Sequence, residues 1–239
     1  MTHGLLAVAL VLAAASSSRP VLEALRPELE KAAGGAVELR YGETGALVAE
    51  IRKGAEIDLF LASHEGSVRR LAQDGRVDEA SLSRCATGTL SLVAVKGAPF
   101  ELPRRLDGAT ALAFVKLPVR RLAILSAKTA PEGVAAEEVL EASRILREMQ
   151  EKLIRSATAE EAIEAVRTGT ADVAILPSSL VPASGFASSP VDPTLHGPLK
   201  QTAAVVSAST RKDAALRVLD VLSAPETRET WKRLGFSAP

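Results

Sequence analysis

Short apolar runs alternate with amphipathic, helix-length stretches through the first third of the chain, and this confines it to a sheet flanked by helices. Residues 7–14 read as a buried strand feeding a turn at Ser16. Ser17 and Ser18 suit a helix start and Pro20 suits the first turn. Val21, Leu22, Leu25, Leu29 and Ala32 then recur at helical spacing until Gly34 and Gly35 stop the helix. Residues 36–41 alternate as a strand does, YGETG (41–45) is a turn, and 46–52 begin a second helix. Residues 57–62 form a third apolar strand, followed by a helix over about 65–74 that ends at Gly75. Such alternation predicts a mostly parallel α/β sheet covered on both faces. Ligands of such sheets sit at the carboxyl ends of strands, beside helix amino termini.

The pattern restarts once. Residues 90–95 are strand-like and lead into a loop with Pro99 and Pro103; 121–125 begin a new strand. Helices are predicted over 131–142, 143–153 and 159–167, and a strand over 171–176. Residues 177–196, rich in Ser, Pro and Gly, read as a surface loop. A strand at 203–207 and helices at 212–222 and 225–234 complete the chain, and there is no tandem repeat. One restart in 239 residues predicts two α/β lobes.

Composition removes several functional classes. Lys plus Arg number 29 and Asp plus Glu number 29, without the basic excess of a polyanion binder. Aromatics make up 3%, with one Trp (Trp231) and one Tyr (Tyr41), too few for base or sugar stacking. Cys85 is the single cysteine and reads as a small buried hydrophobe, and His3, His64 and His196 form no ligand pair, so no metal site is expected. Glu137 with Glu138, and Glu160 with Glu161, are helix neighbours pointing about 100° apart, hence solvated faces rather than an acid–base pair. With no nucleophile motif or phosphate loop, no catalysis is expected. Residues 5–15 resemble a signal-peptide core, but no Lys or Arg precedes them and they are too short to span a bilayer, which needs about 20 residues.

Small hydroxyl residues gather at the strand-to-helix turns: Ser16, Ser17 and Ser18 after the first strand, Thr44 before the second helix. Helix starts expose unpaired N–H groups and partial positive charge, and hydroxyls beside them suit an oxyanion. The same residues equally serve as plain helix caps.

Several stretches in order carry a resemblance: AAAS (13–16), YGETGALVAEI, IDLFLAS, RLAILSAKTAPEGVAAEEVL, AEEAIEAVRTGTADVAILPSS and ETWKRLGF. Together, over about residues 9–236, they resemble the periplasmic molybdate-binding proteins of ABC importers. The resemblance implies a type II periplasmic-binding-protein fold, with lobe one formed by residues 1–87 and 203–239 and lobe two by 88–202. Two crossing strands would act as a hinge, and a monomer would close on a small oxyanion such as molybdate or tungstate and present it to a membrane permease. It implies no cofactor, no nucleic acid and a periplasmic location. Two alternatives stay open: a drifted cleft taking another small polar ligand, with an amine or metal cation for Glu43 or Glu132 to meet, or a cytoplasmic ligand sensor.

By the same resemblance, neutral donors hold the anion. Ser16 matches a serine that binds through hydroxyl and N–H, with Ser17 beside it; Thr44 keeps the hydroxyl of a second serine; and Ala159 offers a backbone N–H at a helix start. Three positions depart. Glu43 stands where a serine is usual, Glu132 replaces a small residue that offers its N–H, and Pro177 replaces a tyrosine hydroxyl, losing a hydrogen bond of about 0.5–1.5 kcal/mol. A carboxylate in the cleft is worse, since each unit charge pair at about 5 Å and an effective dielectric near 20 costs about 3 kcal/mol. The expected resolution is that Glu132 offers only its N–H while its side chain faces solvent or Lys128, and that Glu43 points outward with Thr44 inward.

Overall fold

The computed structural model describes residues 9–239. Residues 7 and 8 of the expected opening strand, residues 5–8 of the signal-like run, and His3 lie outside the described residues. The described strands are, in chain order, β1 (Leu10–Ala15), β2 (Val37–Gly42), β3 (Leu59–Ala62), β4 (Ser83–Gly88), β5 (Leu90–Ala94), β6 (Leu122–Leu125), β7 (Leu153–Ser156), β8 (Val173–Pro177), β9 (Ala187–Pro190), β10 (Leu199–Val205) and β11 (Phe236–Ser237). They form a six-stranded sheet, β11-β4-β10-β3-β1-β2, and a five-stranded sheet, β7-β6-β8-β5-β9. This is the two-lobed α/β architecture. Parallel pairing is confined to β2-β1-β3 and β7-β6-β8; β4, β5 and β9 to β11 pair antiparallel. The chain leaves the first sheet between β4 and β5, at Thr89, and returns between β9 and β10.

Alternation along each central strand feeds two core layers. In β1, Leu10, Leu12 and Ala14 pack in one apolar cluster with Leu22, Leu29 and Trp231, while Val11 and Ala13 pack in another with Leu47, Phe60 and Leu71. A strand buried on both faces reads as an unbroken apolar run, which is why LVLAAA was visible in the sequence. The second sheet is built alike, with Leu92 facing one cluster and Val93 the other. Cys85 lies in the first core, where burial pushes its thiol up to about 12; it is an inert hydrophobe.

Two expected elements differ. Residues 177–196 are not one loop: they hold a turn (Ser178–Leu180), a short helix (Val181–Ser184) and edge strand β9, whose sequence ASSP is polar because Ser189 alone is buried. Residues 143–153 are not one helix. Arg144 takes the left-handed conformation at φ 58°, the helical turn resumes only at Leu146–Met149, and β7 begins at Leu153.

Candidate functional site

The strand ends of the two lobes face one another. From the first lobe, Ser16 opens the turn Ser16–Ser18 directly after β1, Glu43 is the extended residue preceding the helix Thr44–Arg52, and Ser63 follows β3. From the second come Glu132, in the first turn of the helix Pro131–Ala142, and Ala159, first residue of the helix Ala159–Arg167, whose amino end Thr158 caps by accepting the Glu161 N–H. Two glycines permit the approach. A Cβ on Gly133 would lie 2.4 Å from the Leu125 carbonyl, so only glycine seats this helix start against the end of β6. A Cβ on Gly45 would lie 2.8 Å from the Thr129 carbonyl, which accepts the Gly45 N–H across the lobes at 2.7 Å. Ser179 Oγ donates to the Ser17 carbonyl at 2.6 Å, and Arg19 pairs with Glu160 at 3.2 Å, also between lobes.

The two glutamates occupy the centre of this junction. Glu43 Oε1 accepts the Ala159 N–H at 3.1 Å, and Glu132 Oε2 accepts the Ser63 hydroxyl at 3.0 Å. Since the Ser63 hydroxyl proton goes to Glu132, Thr44 Oγ1 donates to Ser63 Oγ at 3.0 Å while accepting the Ser63 N–H at 3.2 Å. Both carboxyl groups are therefore held across the lobe boundary, each residue bonded to a donor of the opposite lobe. Glu43 is 6% exposed and Glu132 4%.

The expected outward orientations of Glu43 and Glu132 are thus corrected. A carboxylate turned outward would leave the Ala159 N–H and the Ser63 hydroxyl buried without these acceptors, at about 1–3 kcal/mol each. Lys128 does not meet Glu132; its side chain is exposed. The Glu132 N–H lies close enough to the residue's own carboxyl to favour its charged form. Pro177 ends β8 opposite Leu90.

Burial dominates the electrostatics. Together with the neighbouring Glu132, it pushes the Glu43 carboxyl up to about 7, against the Ala159 N–H and the Ser16 hydroxyl, which favour the charged form. Burial likewise raises Glu132, against its own N–H and the Ser17 and Ser63 hydroxyls. Of these hydroxyls only Ser63 has a well-formed hydrogen bond to a glutamate; Ser17 Oγ, although buried and beside Glu132, lacks a partner of good geometry. Buried and without a cation among these contacts, the two acids favour holding protons over carrying two charges. Sequence reasoning missed Ser63. Its signal was positional: it follows the end of β3 as Ser16 follows the end of β1. The carboxylate neighbours behave as expected of helix faces, with Glu137 on Arg155 and Glu160 on Arg19.

With this geometry in view, comparison with known proteins assigns the family. The model of the bacterial extracellular solute-binding proteins matches residues 10–237. The chain belongs to that family. This solute-binding protein is 28% identical over 230 residues to the molybdate-binding protein ModA of Azotobacter vinelandii, covering 95% of this chain and 88% of that one. It is 28% identical over 204 residues to the ModA of Rhodobacter capsulatus, covering 85% and 78%. Among solved structures, the Azotobacter vinelandii periplasmic molybdate-binding protein superposes with a TM-score of 0.82 at 24% identity, covering 96% of this chain and 99% of the other. The sulfate-binding protein SubI of Mycobacterium tuberculosis superposes with a TM-score of 0.78 at 18% identity, covering 96% and 86%.

Proposed function

We propose that this solute-binding protein is the extracytoplasmic, periplasmic component of an ABC importer, that it holds a small tetrahedral oxyanion of the molybdate or tungstate kind between its lobes without catalysis and as a monomer, and that it passes the anion to a membrane permease. The observation carrying this reading is that the cleft donors already hold oxyanions: the Ala159 N–H and the Ser63 hydroxyl each bind a carboxylate oxygen, with the Ser16 and Ser17 hydroxyls alongside. A tetrahedral anion asks for the same donors. Glu43 and Glu132 therefore act as internal competitors, and an incoming dianion needs them protonated or swung aside. The names of two relatives, both molybdate-binding proteins, support this choice of anion.

A second reading rests on the same two side chains: a solute bearing an amine would meet Glu43 and Glu132 as counter-ions. A thermal-shift panel of molybdate, tungstate, sulfate and phosphate at pH 6, beside a panel of primary amines at pH 8, separates the two. A shift with molybdate or tungstate is expected; no shift with any oxyanion at millimolar concentration would sink the first reading, and a shift confined to amines would establish the second.

A further inference from the structure

A cavity of about 510 Å³ lies beside the carboxylate pair, and it is a separate space. Thr44 and Gly45 line it, but Ser16, Glu43, Glu132, Ala159 and Pro177 do not. Its volume lies within the range of small-molecule sites, about 300–1,000 Å³, and exceeds what a five-atom oxyanion fills. The walls come from three places: the helix Glu65–Gln73 of the first lobe, residues 127–138 of the second, and Gly197–Lys200, where the chain returns to the first sheet. A molecule seated there touches both lobes and is held only while they are together.

The charged lining is Arg69, Arg70, Lys128 and Lys200 against Glu65 and Glu138. Glu65 is already shared by Arg69 at 2.6 Å, Arg84 at 2.7 Å and Lys200 at 3.5 Å. Glu138 accepts the Gly197 N–H at 2.7 Å. Arg70 and Lys128, one from each lobe, have no ion pair among the described residues. His64 adds no third charge, because burial and the nearby Arg70 both hold its imidazole below the ordinary value. Val134, Ala135 and Leu199 give the cavity an apolar wall. Two cations without ion pairs lining one cavity from opposite lobes, together with an apolar wall, suit an organic anion with more than one acid group.

We propose that this cavity is a second binding site, for a small organic polycarboxylate that bridges Arg70 and Lys128. It is independent of the oxyanion reading, because none of the carboxylate-pair residues lines it. Isothermal titration of the full chain with succinate and citrate tests it, with Arg70→Gln/Lys128→Gln as the site variant and Arg147→Gln/Lys152→Gln as a charge-matched control. The expected result is saturable binding of at least one of the two acids, weakened at least tenfold in the site variant and within twofold of the unmodified chain in the control. Circular dichroism confirms that both variants fold. Absence of binding by both acids at 5 mM ligand, or equal weakening in site and control variants, would overturn the proposal. Molybdate titrated into the same proteins reports separately on the cleft, so the two readings fail distinguishably.

Discussion

Glu43 and Glu65 are the same residue type on the same lobe, and their surroundings drive them in opposite directions. Glu43 is enclosed at the lobe boundary with a second acid for a neighbour and is pushed up to about 7. Glu65, at the rim, receives hydrogen bonds from Arg84 and Arg69 that hold it down at about 2. The centre of the cleft therefore works with neutral donors and protonated acids, and its margin with full charges. The difference shows why acidic side chains persist in a site whose donors suit anions: protonated, they add little repulsion, and ionised, they use the donors themselves.

The largest expected effect comes from removing the competitors. Glu43→Ser combined with Glu132→Ala at pH 9 should strengthen molybdate binding at least a hundredfold, since protonating Glu43 two units above its value of about 7 costs about 2.7 kcal/mol and the raised Glu132 adds to it. Calorimetric titration reads this directly, and an unchanged affinity would mean that the carboxylates leave the donors at no cost.

Next is stability against pH. The Glu43 carboxyl binds its proton more tightly folded, near 7, than unfolded, near the ordinary 4.5, so its contribution is fully favourable below 4.5 and is lost as pH rises through 7. The loss amounts to about 3 kcal/mol. Urea titrations at pH 5 and pH 8 should show it as a difference between the unmodified chain and Glu43→Gln; parallel pH profiles would break the contrast with Glu65.

Glu65 supplies the opposite sign at smaller size. Its depressed pKa gives stability that is present above about 4.5 and is lost as pH falls towards 2. Because its partners are solvated, Glu65→Gln should cost only about 1 kcal/mol at pH 7, and less in high salt, by chemical denaturation. A cost that salt leaves unchanged would place the effect in packing instead.

The strand–helix alternation made both sheets legible, because β1, β3, β6 and β8 are apolar on both faces and stand out as unbroken runs, and β5 is interrupted only by Ser91. Strands with one open side were not: β9 (ASSP) and β7 (LIRS) carry too few apolar residues to separate them from loop or helix, and the two-residue β11 is too short for any period. At the site, Ser16, Thr44 and Ala159 were legible from their places at strand ends and helix starts. The inward turn of Glu43 and Glu132 was not, because it depends on donors from the opposite lobe, more than 65 residues away in sequence for Glu132 and Ser63 and more than 110 for Glu43 and Ala159. Local pattern carries no information about such a pairing.

The central claim, that the cleft donors serve the protein's own carboxylates until an anion replaces them, is tested most directly by counting protons. Molybdate binding to the unmodified chain, titrated calorimetrically from pH 7 to pH 9 in buffers of different ionisation enthalpy, should take up a proton as the anion enters. The affinity should fall towards tenfold per pH unit above about 7, where Glu43 ionises. Binding of constant affinity with no proton uptake across that range would contradict the account.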